Sequence, residues 1–169
     1  MSKINPYQEF LDGRPVDEVL TATPAAIGSM LDEIGDGHAS RRPAPDKWSA
    51  AEIICHLADC ELVFGFRLRQ TLAEDGPTIQ AFDQDKWAAV YRDIPAEEAL
   101  AAFAALRDWN LRLIETAMPA AANRPMTHPE RGTMTFEDVL QTMAGHDINH
   151  LKQLRTIAGP AAQKNGTAA

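Results

Sequence analysis

Apolar residues recur at helical spacing in four long stretches of the chain, and proline or glycine ends each stretch. The clearest stretch begins at Ser49, whose side chain can cap a helix while the Glu52 side chain returns to the Ser49 amide. It predicts a helix over 50–73, closed by Gly76 and Pro77. Because amphipathic helices must bury their apolar sides against one another, four of them favour an all-α four-helix bundle.

Two of the other stretches carry proline near a helix boundary or inside the helix. Residues 15–35 are helix-prone, but Thr23-Pro24 should kink or restart the helix, since proline lacks a backbone donor. Residues 95–118 follow Asp93, which is placed to cap them. The apolar stripe of this third helix is predicted to consist of Leu100, Phe103, Leu106, Trp109, Leu113 and Ile114.

The fourth long helix is predicted to begin at a capping pattern led by Thr135 and to end at Gly159. Between the second and third helices, residues 79–91 should form a short extra helical segment over one end of the bundle. No alternating strand runs and no repeats are visible. We expect one domain over residues 1–160 and a frayed tail over residues 161–169.

The composition excludes several classes of partner. The chain has 24 acidic and 16 basic residues, and its net charge of -8 would repel a nucleic-acid backbone. Charges interrupt every apolar run before it reaches the roughly 20 residues of a membrane span. The first residues lack the apolar core of a secretion signal, and the two cysteines suit a reducing compartment, so we expect a cytoplasmic protein.

Three of the five histidines fall on the core-facing sides of predicted helices. His146 and His150 are four residues apart, so both rings project from one helix face, the face that carries Met143 and Leu154. His56 faces the core from the second helix in the same way. Two histidines from one helix and one from another can form a three-nitrogen metal site with an open position. The alternative is that all three are core histidines satisfied by hydrogen bonds.

The segment 146–150, His-Asp-Ile-Asn-His, also resembles a zinc-protease motif with Asp in place of the catalytic Glu. Proteases of that type take a third ligand downstream, but residues 151–169 contain no histidine, aspartate or glutamate. A third ligand must therefore come from upstream, which favours His56. His38 and His128 lie in connectors rich in glycine and proline, and we expect both to be solvated.

Seven further residues are candidates for the surroundings of the metal site or for a pocket: Asp59, Cys60, Arg67, Trp87, Asp147, Asn149 and Gln153. Cys60 could be a fourth, soft ligand that closes the site, or a small core residue. Arg67 could pair with a carboxylate of the bundle or hold an anionic substrate. The acidic and amide residues could orient imidazoles or form the polar border of each helix.

The run 42–59, followed by Glu61 and Arg67, resembles the second-helix signature of the DinB-like (DinB/YfiT-like) superfamily of metalloenzymes. The segments 82–87, which contains Trp87, and 145–154 look like two further blocks of that family. The resemblance repeats order, spacing and the Trp-Ser-x-x-Glu cap in addition to the histidines, and it covers nearly the whole chain.

This resemblance implies an up-down-down-up four-helix bundle in which His56, His146 and His150 hold a divalent metal, commonly nickel or zinc. Characterised relatives include transferases and isomerases that use a low-molecular-weight thiol. We therefore expect a metal-dependent enzyme of thiol-transferase or hydrolase type that acts on a small molecule. The alternative is a non-catalytic bundle that is stabilised by metal or that binds a ligand. Bundles commonly pair through an exposed helix face, so a homodimer is open to this chain.

Overall fold

The computed structural model describes residues 4–35 and 37–159, and the predicted tail over residues 161–169 lies outside the described residues. The described helices are α1 (Gln8–Leu11), α2 (Val16–Ile34), α3 (Ala50–Ala73), α4 (Gln84–Trp87), α5 (Ala96–Ala117) and α6 (Phe136–Ala158). A 3-10 helix (Ala88–Asp93) follows α4, and strands β1 (Pro125–His128) and β2 (Gly132–Thr135) precede α6.

Helices α2, α3, α5 and α6 form the four-helix bundle that the sequence predicts. Its order is up-down-down-up: an ion pair between Glu33 and Arg155 joins the C-terminal ends of α2 and α6, which run parallel. Helices α3 and α5 are also parallel, since their first halves contribute to one core cluster and their second halves to the other. Within the described residues, every helix falls short of the length or the apolar composition needed to cross a membrane.

Both predicted capping boxes are confirmed. The Ser49 hydroxyl accepts a hydrogen bond from the Glu52 amide (3.2 Å), and the Glu52 carboxylate accepts one from the Ser49 amide (2.8 Å). Arg42 also donates to this carboxylate, from Nε at 2.9 Å. Thr135 and Asp138 form the equivalent box at the start of α6. The helices that carry the three histidines therefore begin at fixed positions.

Helix α2 runs through Pro24, so of the two expected outcomes, a kink or a restart, the restart does not occur. Pro24 cannot donate to the carbonyl group of Leu20, four residues earlier. The side chain of Arg107 donates to that carbonyl oxygen instead, at 2.8 Å. The lost helical bond is therefore replaced by a tertiary one, which a local reading of the sequence cannot anticipate.

Helix α5 differs from its prediction in its cap and in its apolar stripe. Pro95 occupies the N-cap position, no side chain caps the helix, and Asp93 ends the preceding 3-10 helix. Trp109, predicted to face the core, is 62% exposed, whereas Arg107 and Asn110 are buried. The buried face is thus rotated towards two polar residues, because their partners lie on neighbouring helices.

The connector before α6 contains a β-hairpin that the sequence analysis did not predict. Strands β1 and β2 are antiparallel, with Met126 opposite Met134 and both side chains buried. Gly132 begins β2 with a φ of 81°, a conformation that favours glycine. Each strand has only four residues, too few for a clear alternating pattern. The hairpin packs its methionines into one core cluster of the bundle.

Candidate metal centre

The structure brings the imidazoles of His56, His146 and His150 together in the bundle interior. Nε2 of His146 lies 3.1 Å from Nε2 of His56 and 3.1 Å from Nε2 of His150. All three side chains are buried, and each offers a nitrogen within 4.8 Å of those offered by the other two. Helices α3 and α6 are antiparallel, so the first turns of α3 lie beside the last turns of α6, and this places the rings side by side.

The protonation of these imidazoles suits a metal ligand. Burial lowers the pKa of His56 to about 3, with a further effect of His150, and it lowers the pKa of His150 to about 4. Burial and the two neighbouring histidines hold the pKa of His146 well below its usual value. All three rings are therefore neutral near pH 7, which is the form of histidine that binds metals.

Some ring nitrogens of the cluster present a lone pair to which no N–H group donates. Nδ1 of His150 lies 3.1 Å from the acceptor Oε1 of Gln153, so its proton is on Nδ1 and its Nε2 presents a lone pair. Nε2 of His146 faces Nε2 of both other rings but carries at most one proton. Within the described part of the chain, Nδ1 of His146 is buried without a hydrogen-bond partner. A divalent cation would satisfy the converging lone pairs, so the donor set fits such an ion.

A buried ionic cluster lies next to the imidazoles. Arg107 donates to Glu61 at 2.8 Å and to Asp147 at 2.7 Å, and all three side chains are almost fully buried. Asn110 also donates to the Glu61 carboxylate. Burial alone would lower the pKa of Arg107, but Asp147 and Glu61 outweigh burial and raise it, so the guanidinium stays charged. Asp147, a candidate for orienting an imidazole, is instead paired with this arginine.

Cys60 lies close to two of the three imidazoles. Its Sγ is 3.5 Å from Nε2 of His56 and 3.9 Å from Nε2 of His146. Burial, with added effects of Asp59 and Asp147, raises the pKa of this thiol, so it stays protonated at neutral pH. In this state Cys60 is a buried neutral neighbour of the rings.

The other predicted candidates lie in different surroundings. Asp59 accepts a hydrogen bond from the hydroxyl of Tyr91. Trp87 is 38% exposed and packs on Phe82, with ring centroids 4.8 Å apart. Asn149 lines a cavity beside His150, whereas Gln153 bonds to that imidazole. Among these residues, only Gln153 makes a hydrogen bond to one of the three rings.

Two cavities adjoin the imidazole cluster. The larger, of about 690 Å³, is bounded by the connector around Trp48 and by the end of α6, and His150 lies in its wall. The smaller, of about 140 Å³, contains His56 and His146 in its wall. Tyr7 lines both cavities. The imidazole cluster is therefore accessible from two sides, one roomy and one narrow.

Several residues around the cluster were not predicted from the sequence: Tyr7, Trp48, Phe64 and Arg131. Tyr7 packs edge-on against His146, with ring centroids 5.1 Å apart. Gly145 is the residue of α6 that permits this contact. A Cβ atom there would lie 2.6 Å from the Tyr7 carbonyl oxygen, so only glycine allows the N-terminal segment to approach α6.

His128 was expected to be solvated, but it is only 5% exposed. Its Nδ1 accepts a hydrogen bond from the amide of Glu130 at 3.1 Å, and the ring lines the smaller cavity. The reason is the β-hairpin, which was not predicted. His128 is the last residue of its strand β1, and the ring is buried there. His38 is exposed, as expected.

The family model described as the DinB superfamily matches residues 20–154 of the chain. A protein of Oceanobacillus iheyensis described as a "putative metal-dependent hydrolase" is 28% identical over 111 residues, which cover 65% of this chain and 64% of that protein. The match thus spans slightly less than two thirds of that relative's length. YfiT of Bacillus subtilis, which has the same description, is 21% identical over 145 residues, or 83% of this chain and 81% of YfiT.

A solved structure of Bacillus subtilis YfiT has the same fold. The two structures superpose with a TM-score of 0.74 at 22% sequence identity, over 82% of this chain and 83% of the other. The solved structure is described as "a probable metal-dependent hydrolase with an unusual four-helix bundle topology". In this chain the up-down-down-up order places α3 and α5, which follow one another among the four bundle helices, parallel.

Proposed function

The chain belongs to the DinB superfamily, and from this premise we propose that it is a metal-dependent enzyme that acts on a small molecule, by hydrolysis or by transfer of a thiol. The observation that carries the proposal is the convergence of three buried, neutral imidazoles beside two cavities. Burying one polar ring in a core is common, but burying three with their lone pairs facing one another is costly unless a cation binds them.

His56, His146 and His150 would hold the ion, with nickel or zinc as the first candidates. A divalent ion bound by three neutral histidines supplies Lewis-acid chemistry, because it lowers the pKa of a water or thiol that completes its coordination. The proposal of thiol transfer is based on the family resemblance. The proposal of hydrolysis is based on the descriptions of the relatives.

The residues around the imidazoles define what the chain itself contributes. Gln153 fixes the proton of His150 on Nδ1 and so keeps its Nε2 available. Tyr7 lines both cavities, and burial raises the pKa of its phenol further above neutral pH, so the hydroxyl keeps its proton. The larger cavity has the volume of a small-molecule site and would hold the main body of a substrate.

A second candidate function is a structural metal site. Cys60 is near enough to two imidazoles to become a fourth ligand after a small rearrangement and loss of its proton. A site closed in this way would stabilise the bundle without an open position for chemistry. The two functions therefore differ in the role of Cys60.

Metal titration of the purified, metal-free protein tests the leading proposal. We expect one zinc or nickel ion per chain by calorimetry, and a loss of at least about 100-fold in affinity in His56→Ala, His146→Ala and His150→Ala. His38→Ala, which changes an exposed histidine, is the matched control and should bind like the wild type. A wild-type chain that retains no divalent metal after reconstitution would rule the proposal out.

Turnover separates the two candidate reactions. The metal-loaded protein is assayed with activated esters and amides in water, and with alkyl halides or epoxides in the presence of cysteine as a thiol. Hydrolysis without thiol supports the hydrolase, and consumption of thiol supports the transferase. For either enzyme, chelation should abolish turnover while the circular dichroism spectrum of the fold is retained.

A further inference from the structure

The smaller cavity contains two arginines, and within the described residues no carboxylate lies within ion-pair distance of either. Arg67 reaches the cavity from α3, three turns beyond His56, and Arg131 comes from the turn of the hairpin. The sequence left open whether Arg67 pairs with a carboxylate of the bundle. The bundle carboxylates Glu61 and Asp147 are instead bound by Arg107.

Arg67 is buried with part of its hydrogen-bonding capacity unused. Its side chain is only 8% exposed. Nη2 donates to the carbonyl oxygen of Gln80 at 2.6 Å, but Nε is buried and has no partner among the described residues. A buried guanidinium with an unmet donor is costly, because both its charge and its N–H group have lost water. An anionic ligand bound in the cavity against the Arg67 guanidinium would offset the cost of its buried charge.

The charges around the cavity define which anion would fit. Arg67 and Arg131 each contribute one positive charge, and Glu130 contributes one negative charge. His128 is neutral near pH 7, because burial and the two arginines lower its pKa. In the metal-free protein these side chains therefore give this part of the cavity wall a net charge of about +1, which a singly charged anion neutralises and a doubly charged phosphate would exceed.

We propose that the smaller cavity binds a carboxylate group of the substrate between Arg67 and Arg131. That the ligand is the substrate rests on the proposed function; that the cavity binds a carboxylate rests on the two arginines and on the net charge of the cavity wall in the metal-free protein. At about 140 Å³ the cavity accommodates a carboxylate and only a few further atoms. Since His56 and His146 also line the cavity, a carboxylate bound here would place the adjoining part of the molecule near the imidazole cluster. The substrate class is therefore a small carboxylic acid or a molecule with a carboxylate at one end.

Side-chain NMR of the metal-free protein tests the carboxylate site directly. The Nε–H signal of Arg67 is assigned by its absence in Arg67→Met, and acetate is added at constant ionic strength, with acetamide as the uncharged isostere and phosphate as the doubly charged comparison. We expect a saturable shift with acetate, none with acetamide, and weaker binding of phosphate. No saturation with acetate, or preference for phosphate, would overturn the proposal.

Three variants identify the residues that bind acetate. The acetate affinity of each variant is measured by titration calorimetry. We expect at least about tenfold weaker binding in Arg67→Met and in Arg131→Met, because a charge-assisted hydrogen bond is lost in each. Arg41→Met removes the same charge from an exposed position and should bind acetate like the wild type. An equal loss in all three would assign the binding to net charge and refute the site. Arg67→Lys, which keeps the charge, replaces Arg67→Met if thermal unfolding shows that the latter does not fold.

The acetate and metal experiments fail independently of one another. If the metal-free protein binds no acetate but binds zinc through the three histidines, the carboxylate site is refuted and the proposed metal site stands. If acetate binds through Arg67 but the protein retains no divalent metal, the proposed function is refuted and the cavity remains a carboxylate site.

Discussion

The guanidinium of Arg107 donates a hydrogen bond of 2.8 Å to the backbone carbonyl of Leu20, the group that Pro24 leaves without a helical donor. The same guanidinium binds Glu61 on α3 and Asp147 on α6, while Leu20 lies on α2 and Arg107 itself on α5. One buried side chain therefore connects all four helices of the bundle. Asp147 directly follows His146, so the connection also fixes the helix turn that carries this imidazole.

Replacing Arg107 with methionine should destabilise the protein strongly. The change leaves two carboxylates, Glu61 and Asp147, buried without a counter-charge, and breaking a buried ion pair in this way typically costs about 3–5 kcal/mol. Urea unfolding measures the difference. In Arg112→Met, which removes an exposed pair with Asp108, the loss should stay below about 1 kcal/mol. Similar losses in the two variants would show that the buried cluster does not hold the bundle together.

Gln153 should affect metal affinity through His150. Gln153→Leu removes the acceptor that keeps the His150 proton on Nδ1, and we expect about tenfold weaker zinc binding, since loss of such partners typically costs 10–100-fold. Gln153→Glu keeps an acceptor and should retain the affinity. Asn149→Ala changes a cavity residue on the same helix and is the control. Equal affinities in Gln153→Leu and Asn149→Ala would contradict the assigned role.

Cys60 distinguishes an open metal site from a closed one. If the site is open, the Cys60 thiol is not a ligand, and we expect zinc affinity in Cys60→Ser to stay within about threefold of the wild type. The cobalt-substituted wild type should then lack the near-ultraviolet absorption of a cobalt–thiolate bond. Cys55→Ser, at a second buried cysteine of α3, is the control. A large loss of affinity confined to Cys60→Ser, together with unfolding on chelation, would favour the structural site.

Local patterns predicted the bundle, the starts of the two helices that carry the histidines, and the inward orientation of His56 and His146, because helical periodicity assigns each residue to a face. The role of these residues as metal ligands remains a prediction. The positions of Arg107, His128 and Tyr7 could not be predicted, since each depends on contacts with elements distant in sequence. A polar residue on an apolar helix face can be assigned to the core only when the group that hydrogen-bonds to it is known. For the same reason the narrow cavity and the place of Arg131 in it emerged only from the structure, whereas Arg67 was already a candidate for holding an anionic substrate.

The dependence of stability on pH in acid should involve Glu52, which lies in the first turn of α3, one turn before His56. Burial alone would raise the pKa of Glu52, but hydrogen bonds from Arg42 and Ser49 outweigh burial and hold it below its usual value. A carboxyl whose pKa is lower in the folded state stabilises the fold above its unfolded pKa of about 4.5, and the contribution is lost as the pH falls through the folded value. At pH 7, Glu52→Gln should therefore be less stable than the wild type by about 1–2 kcal/mol.

The difference between the wild type and Glu52→Gln should narrow as the pH falls below about 4.5, since protonation removes from the wild type the charge that the variant lacks. Urea unfolding of the metal-free proteins at pH 7, 5, 4 and 3 measures it. Glu115→Gln, at an exposed position of α5, should follow the wild type at every pH. If the difference instead widens on acidification, Glu52 stabilises the helix start as the protonated acid, and the ion pair with Arg42 does not contribute to the position of His56.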